Sequence, residues 1–221
     1  MTSVETKGLL FDMDGVLVRS IGSVERCWKR WCKLYGVPDA ENFQVQHGVR
    51  AGDIMRSLKP QWDDTQYAEG LRAIEDMEVE DTGDLIVLPG VKALLERLPS
   101  ERWAIVTSAT GRLTVARLAA AGLPVPERLI SGDMVERGKP DPEPYRRGAE
   151  LLGLRPAECV VVEDAPSGVG AGKAAGCRVL GVLGTHELSE LEQADWVAES
   201  LEAIEIRVLA DGLELKFPAL P

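Results

Sequence analysis

The sequence predicts an α/β fold, a doubly wound parallel sheet with a small α-helical domain inserted after its first strand. Three observations carry this. Short apolar strand candidates alternate with amphipathic helix candidates over most of the chain, the pattern of a parallel sheet covered by helices. Each helix candidate between the last four strands stops at a glycine, which suits the left-handed conformation common at helix ends. The first and second strands are separated by the whole of 12–102, whereas a crossover helix needs only about a dozen residues.

The first strand is Gly8–Phe11. In the gap after it, Val24, Cys27, Trp28, Trp31, Leu34 and Tyr35 mark one face of a helix. Residues 53–58 and 65–77 also read as helical, and no strand signal precedes Leu85. The insert therefore spans about 20–84, and 1–19 with 85–221 form the core. Trp28, Trp31 and Trp62 are assigned to the apolar centre of the insert. After the Pro89-Gly90 turn a helix at 91–98 returns the chain to the sheet. Strands at Trp103–Val106, 128–130, 159–162 and Arg178–Val182 then alternate with helices at 111–121, 143–152 and 169–175, which is a Rossmann-like βαβαβαβ core. At the end Ile204, Ile206 and Val208 alternate, Asp211-Gly212 makes a turn, and Leu213, Leu215 and Phe217 alternate again, predicting a C-terminal β-hairpin.

Composition narrows the function. The 221 residues suit one large domain or a core with a smaller companion. Lys and Arg number 25 against 36 Asp and Glu, a net charge of −11 with no long basic block, which argues against nucleic acid and anionic membrane surfaces as partners. No apolar stretch nears the roughly 20 residues that span a bilayer. Residues 1–7 carry both charge signs and lead into only a short apolar run, unlike a secretion signal, so a cytoplasmic location is the default expectation. Cys27, Cys32, Cys159 and Cys177 form no C-x-x-C and read as reduced core thiols. A small molecule is the expected partner, and a monomer the default state.

Ligands of open parallel sheets bind at the carboxyl ends of the strands. The polar residues there are Asp12 and Asp14 after the first strand, Thr107-Ser108 after the second, Lys139 in the loop after the third, and Glu163-Asp164 after the fourth. Each alone has a structural reading as a turn, a helix cap or a solvated charge. Together they place four acids, a hydroxyl and a cation on one rim, and crowded acids raise one another's pKa unless a cation compensates. An oxygen-only ligand set without His or Cys points to magnesium.

These motifs stand in the order of, and resemble, those of the haloacid dehalogenase superfamily of aspartate-nucleophile phosphatases. Phe11-Asp12-Met13-Asp14-Gly15-Val16-Leu17 looks like the first motif, Val106-Thr107-Ser108-Ala109 the second, Gly138-Lys139-Pro140-Asp141-Pro142 the third, and Glu163-Asp164-Ala165-Pro166-Ser167-Gly168 the fourth. The helical insert lies where one branch of the superfamily carries a mobile cap. The likeness extends to the glycerol-3-phosphatase and 2-deoxyglucose-6-phosphatase group through His47-Gly48-Val49-Arg50 and through the stretch running on to Ala174-Ala175-Gly176-Cys177. Arg19 is a departure, since many relatives have Asp there.

The resemblance implies hydrolysis of small sugar or polyol phosphates, such as glycerol phosphate or a hexose 6-phosphate. Asp12 would be the nucleophile and Asp14 the general acid and base, with Ser108, the backbone N–H of Ala109 and Lys139 holding the phosphoryl group. Asp12, the backbone carbonyl of Asp14, Glu163 and Asp164 would ligate the metal. Thr107 competes with Ser108 as the phosphate-binding hydroxyl. His47 and Arg50, in the insert, are the candidates for substrate selection, because an arginine there can pair with phosphate as the cap closes. The alternative activity is a phosphomutase of β-phosphoglucomutase type, which shares the core motifs. A phospho-accepting receiver module is a non-enzymatic alternative, against which the long insert argues.

Overall fold

A strand that is apolar at every position needs cover on both faces, and Gly8–Phe11 is wholly buried. The computed structural model describes residues 1–221. Its elements are β1 (Thr2–Thr6), β2 (Gly8–Phe11), β3 (Val18–Arg19), α1 (Ile21–Leu34), α2 (Ala51–Leu58), α3 (Asp64–Glu80), β4 (Ile86–Val87), α4 (Val91–Arg97), β5 (Trp103–Val106) and α5 (Gly111–Ala120). They continue with β6 (Leu129–Ile130), α6 (Glu143–Leu151), β7 (Cys159–Glu163), α7 (Pro166–Ala175), β8 (Arg178–Val182), β9 (Trp196–Ala198), β10 (Glu205–Leu209) and β11 (Gly212–Phe217).

Six parallel strands form the central sheet in the order β6-β5-β2-β7-β8-β9. The pleat splits the core in two: Leu9 and Phe11 join a cluster with Trp103, Ile105 and Val162, while Leu10 joins one with Val106, Tyr145 and Val161 on the other face. Fully burying one such side chain stabilises by about 1.5–3 kcal/mol relative to exposure. Because β2 lies between β5 and β7, the strand order reverses beside it, which opens a crevice at its carboxyl end. Asp12 is the next residue.

Between β3 and β4 the chain builds the helical insert, α1 to α3, around Trp28, Trp31, Ile54, Met55, Ile74 and Met77. Trp31 donates its indole N–H to the Gly70 carbonyl at 3.0 Å, and Trp62 packs at the edge of this cluster, so the three tryptophans hold the insert together. Val18 and Arg19 pair with Val87 and Ile86 in a short antiparallel ribbon where the chain leaves and re-enters the core.

The hairpin forms as β10 and β11, and β1 adds a third antiparallel strand by pairing Thr2 to Thr6 with Phe217 to Leu213. β1, β9 and the β3–β4 ribbon lie outside the sequence reading. Thr2–Thr6 buries only Val4 and Thr6, while β9 and the ribbon strands are three and two residues long, too short for a periodicity. All four cysteines are free and buried. No helix is long and apolar enough to cross a membrane.

Candidate active site

Four strand ends deliver the rim. The Asp12 N–H donates to the Val162 carbonyl at 3.0 Å, tying the end of β2 to β7. The loop carrying Lys139 is held by Glu143 at the start of α6, whose carboxylate accepts the Glu136 and Arg137 N–H groups, both at 2.9 Å, and has its pKa lowered by them. This aims Lys139 into the sheet, where its Nζ donates to Asp12 Oδ1 at 2.6 Å, Glu163 Oε1 at 2.7 Å and the Val106 carbonyl at 3.0 Å. Tyr145 on α6 closes that side, donating its hydroxyl to Glu163 Oε1 at 2.8 Å.

Glu163 is saturated. Besides Lys139 and Tyr145 on one oxygen, its other oxygen accepts the N–H groups of Asp164 at 2.9 Å and Ala165 at 3.1 Å. A carboxylate with four donors has little lone-pair capacity left, so in this arrangement Glu163 orders Lys139 and the loop entering α7. The oxygen that is orphaned is Asp164 Oδ2, buried without a hydrogen-bond partner. Gly15 makes room for it: with φ of +88° it holds a conformation that side chains rarely adopt, and a Cβ there would collide with the Asp164 carboxylate.

Carboxylate oxygens of Asp12, Glu163 and Asp164 lie within 4.8 Å of one another and all three residues are buried. Burial pushes the Asp12 carboxyl well up, a tendency that Lys139 opposes and the neighbouring acids reinforce, and it raises Asp164 to about 7. The same pairs keep Lys139 charged despite its burial. An excess of crowded, oxygen-only acids with one orphaned oxygen fits a hard divalent cation. Asp12 and Asp164 offer carboxylate oxygens to it, and Asp14 is outside this triad of side chains.

Above the rim a cavity of about 350 Å³ lies between core and insert, lined by Asp12, Asp14, His47, Arg50, Ser108 and Arg117 among others. Asp14 faces it with both oxygens held: Ser20 Oγ donates to Oδ1 at 2.6 Å and Arg117 Nη1 to Oδ2 at 2.7 Å. The second Arg117 terminal nitrogen reaches Glu78 Oε1 on α3 at 3.3 Å, and burial lifts the Glu78 carboxyl to about 7.

The residues expected to hold phosphate and leaving group have protein partners here. Ser108 Oγ donates to the Gly48 carbonyl at 2.7 Å, and the Ala109 N–H donates to Thr107 Oγ1 at 3.1 Å. Gly48, with φ of +78°, lets the insert come this close, because a Cβ would meet Ser167 Oγ at 2.5 Å. Arg50 uses all five guanidinium donors: two go to the Asp53 carboxylate at 2.7 and 3.0 Å, and three to the Gly132, Val135 and Glu136 carbonyls of the core at 3.3, 2.9 and 3.2 Å. The expected direct pairing of Arg50 with phosphate is thus replaced in this conformation by a bond between insert and core. His47 faces His186 with ring centroids 6.4 Å apart, and burial with that neighbour lowers its pKa.

Arg117, Glu78, Ser20 and Tyr145 were not legible as site residues. The signal for Arg117 is a charge at a position whose neighbours at helical spacing, Leu113 and Thr114, are buried; Glu78 stands likewise four residues from the buried Ile74.

Known proteins carry the same architecture. A sequence model of the family described as haloacid dehalogenase-like hydrolase matches residues 6–176. Hexitol phosphatase A of Escherichia coli is 41% identical over 208 residues, 93% of this chain and 96% of that protein. Glycerol-1-phosphate phosphohydrolase 2 of Saccharomyces cerevisiae is 33% identical over 217 residues, 92% of this chain and 86% of that one. The crystal structure of a hydrolase from Pseudomonas syringae superposes with a TM-score of 0.80 at 26% identity, covering 89% of this chain and 94% of the other. With the family model matching residues 6–176 and the relatives and fold covering 89% to 93% of it, the chain belongs to the haloacid dehalogenase-like hydrolases.

Proposed function

We propose that the protein is a magnesium-dependent phosphomonoesterase acting on small sugar or polyol phosphates. The observation that carries this is the position of Asp12: at the end of a central strand, buried, paired with Lys139 at 2.6 Å, beside Asp164 and under a cavity that the insert covers. The sugar or polyol leaving group is inferred from the two phosphatases at 41% and 33% identity, named for a hexitol and a glycerol phosphate.

Phosphate esters resist hydrolysis because an anionic nucleophile must approach an anionic centre. Lys139 offsets that charge on one side of Asp12. Asp12, Asp164 and the backbone carbonyl of Asp14 would hold magnesium, with Glu163 behind them, and the bound ion supplies charge neutralisation at the phosphoryl oxygens. A carboxylate oxygen of Asp12 attacks phosphorus; the bond from phosphorus to the ester oxygen breaks with its electron pair, and Asp14 gives that oxygen a proton. Asp14 then takes a proton from water, whose oxygen attacks the aspartyl-phosphate; the bond from phosphorus to Asp12 breaks, regenerating the carboxylate and releasing inorganic phosphate. Ser108 turns its hydroxyl from Gly48 to a phosphoryl oxygen, aided by the Ala109 N–H. His47 lines the cavity that would take the leaving group. Arg50 fastens the insert over the site, so that bulk water is kept out while Asp12 attacks phosphorus and the ester oxygen departs.

The test is release of inorganic phosphate from a panel of hexitol, glycerol and hexose monophosphates with magnesium present. Turnover that chelation abolishes and magnesium restores is expected; full activity in EDTA, with no metal detected by elemental analysis, overturns the metal-dependent reading. A phosphomutase would instead convert one sugar phosphate into its isomer with no net phosphate release.

A further inference from the structure

Arg117 is charged, 3% exposed, and lies on the buried face of α5. A buried guanidinium is costly unless its donors find acceptors, and apolar residues would fill a helix contact at lower desolvation cost. Its acceptors come from two other parts of the fold. Asp14 follows the central strand β2, at 2.7 Å, and Glu78 is carried by α3 of the insert, at 3.3 Å. Glu78 is itself 6% exposed, so the shared guanidinium is what keeps it from being stranded. Ser20, the residue before α1, holds the other Asp14 oxygen at 2.6 Å.

A carboxylate that exchanges protons with a leaving oxygen must present one oxygen at a fixed angle, and two side-chain torsions have to be held to do so. Ser20 and Arg117 between them hold both Asp14 oxygens. We propose that Arg117 is a positioning residue for proton transfer, setting the Asp14 carboxylate and tying it through Glu78 to the closed insert. This rests on Asp14 being the proton carrier. The consequence is directional: Glu78 moves with the insert, so Asp14 has its full set of restraints only while α3 lies against α5.

The readout is the contrast between leaving groups. An alkoxide needs a proton as it departs, whereas p-nitrophenolate does not, and kcat/KM reports this first half-reaction. The comparison is kcat/KM for the alkyl phosphate that wild type turns over best and for p-nitrophenyl phosphate, both with magnesium. Arg117→Ala should lower the alkyl value about a hundredfold and the aryl value by less than about tenfold, with Arg117→Lys recovering part of the alkyl loss. Because Arg117→Ala strands Glu78, the neutral pair Arg117→Met with Glu78→Gln is measured beside it, with thermal melting to verify folding; it should show the same selective loss. Equal losses for the two substrates in the folded double variant, or an unchanged ratio, overturn the proposal. Asp14→Asn separates the two readings: if it shifts the ratio and the Arg117 variants do not, only the positioning role fails, and if it leaves the ratio unchanged, the proton-carrier assignment fails first.

Discussion

Asp12 has one oxygen in a 2.6 Å contact with a lysine that is itself buried, which fixes the carboxylate's rotation and stabilises its charged form against the burial that opposes it. Replacing it with Asn keeps the shape and removes the proposed nucleophile, so turnover of every phosphate ester should fall about a thousandfold or more, checked by steady-state kinetics; a variant keeping a tenth of wild-type turnover rules out covalent catalysis by this residue. The placement of Asp12, Lys139, Glu163 and Asp164 on one rim was legible because strand ends in a parallel sheet converge by geometry. The saturation of Glu163 and the five bonds of Arg50 were not, since Glu163 takes its donors from Lys139, Tyr145 and the turn of its own next two residues, and Arg50 bonds Asp53 and three carbonyls of a distant loop, geometry that a residue's type does not encode. Arg117 and Glu78 were hidden for another reason: a charge within a helix reads by default as surface.

At the scale of elements, wholly apolar strands and glycine-stopped helices were legible, and β9 and the β3–β4 ribbon, stabilised by pairing rather than by a pattern of their own, were not. Besides the Gly48 contact with Ser108, the insert meets the core along two seams. One is α3 against α5, where Arg112 pairs with Glu75 at 2.9 Å. The other is Arg50, the residue before α2, which bonds the carbonyls after β6. Cutting the second seam tests what the insert contributes. Had Arg50 touched the leaving group, Arg50→Ala would separate alkyl from aryl substrates. Its bonds to the core carbonyls instead predict that kcat/KM for both falls by a similar factor, on the order of tenfold to a hundredfold, because closure precedes either reaction. Parallel measurements on the two substrates decide it, and a loss confined to the alkyl phosphate sinks the seam interpretation.

Across the whole molecule, the chain buries acids at the end of the central sheet and in the insert above it, and this sets a pH dependence with a definite sign. Asp164 and Glu78, both buried, stand at about 7 in the folded protein, against ordinary carboxylate values near 4 when unfolded. A carboxyl raised by folding binds more protons in the native state, so its contribution is fully present below the unfolded value and is lost as pH rises towards the folded one. His47, lowered by burial, acts in the opposite direction below about 6.5, and exposed acids with lowered values, such as Glu158 at about 2, act only in more acidic solution. With Asp12, which burial also pushes well up, the buried carboxyls outnumber the imidazole, and the metal-free protein should lose on the order of 2 kcal/mol or more between about pH 5 and pH 7. On the proposed ligand set magnesium competes with the proton at Asp164, so its stabilisation should be larger at pH 7 than at pH 5. Melting curves in EDTA and in excess magnesium at the two pH values test both statements. Glu78→Gln removes one of these titrations while leaving the proposed metal ligands intact, so it should flatten the decline in EDTA and preserve the pH dependence of the magnesium shift. A metal-free Tm that climbs from pH 5 to pH 7, or a magnesium shift equal at both, contradicts the assignment of buried, proton-retaining acids to this site.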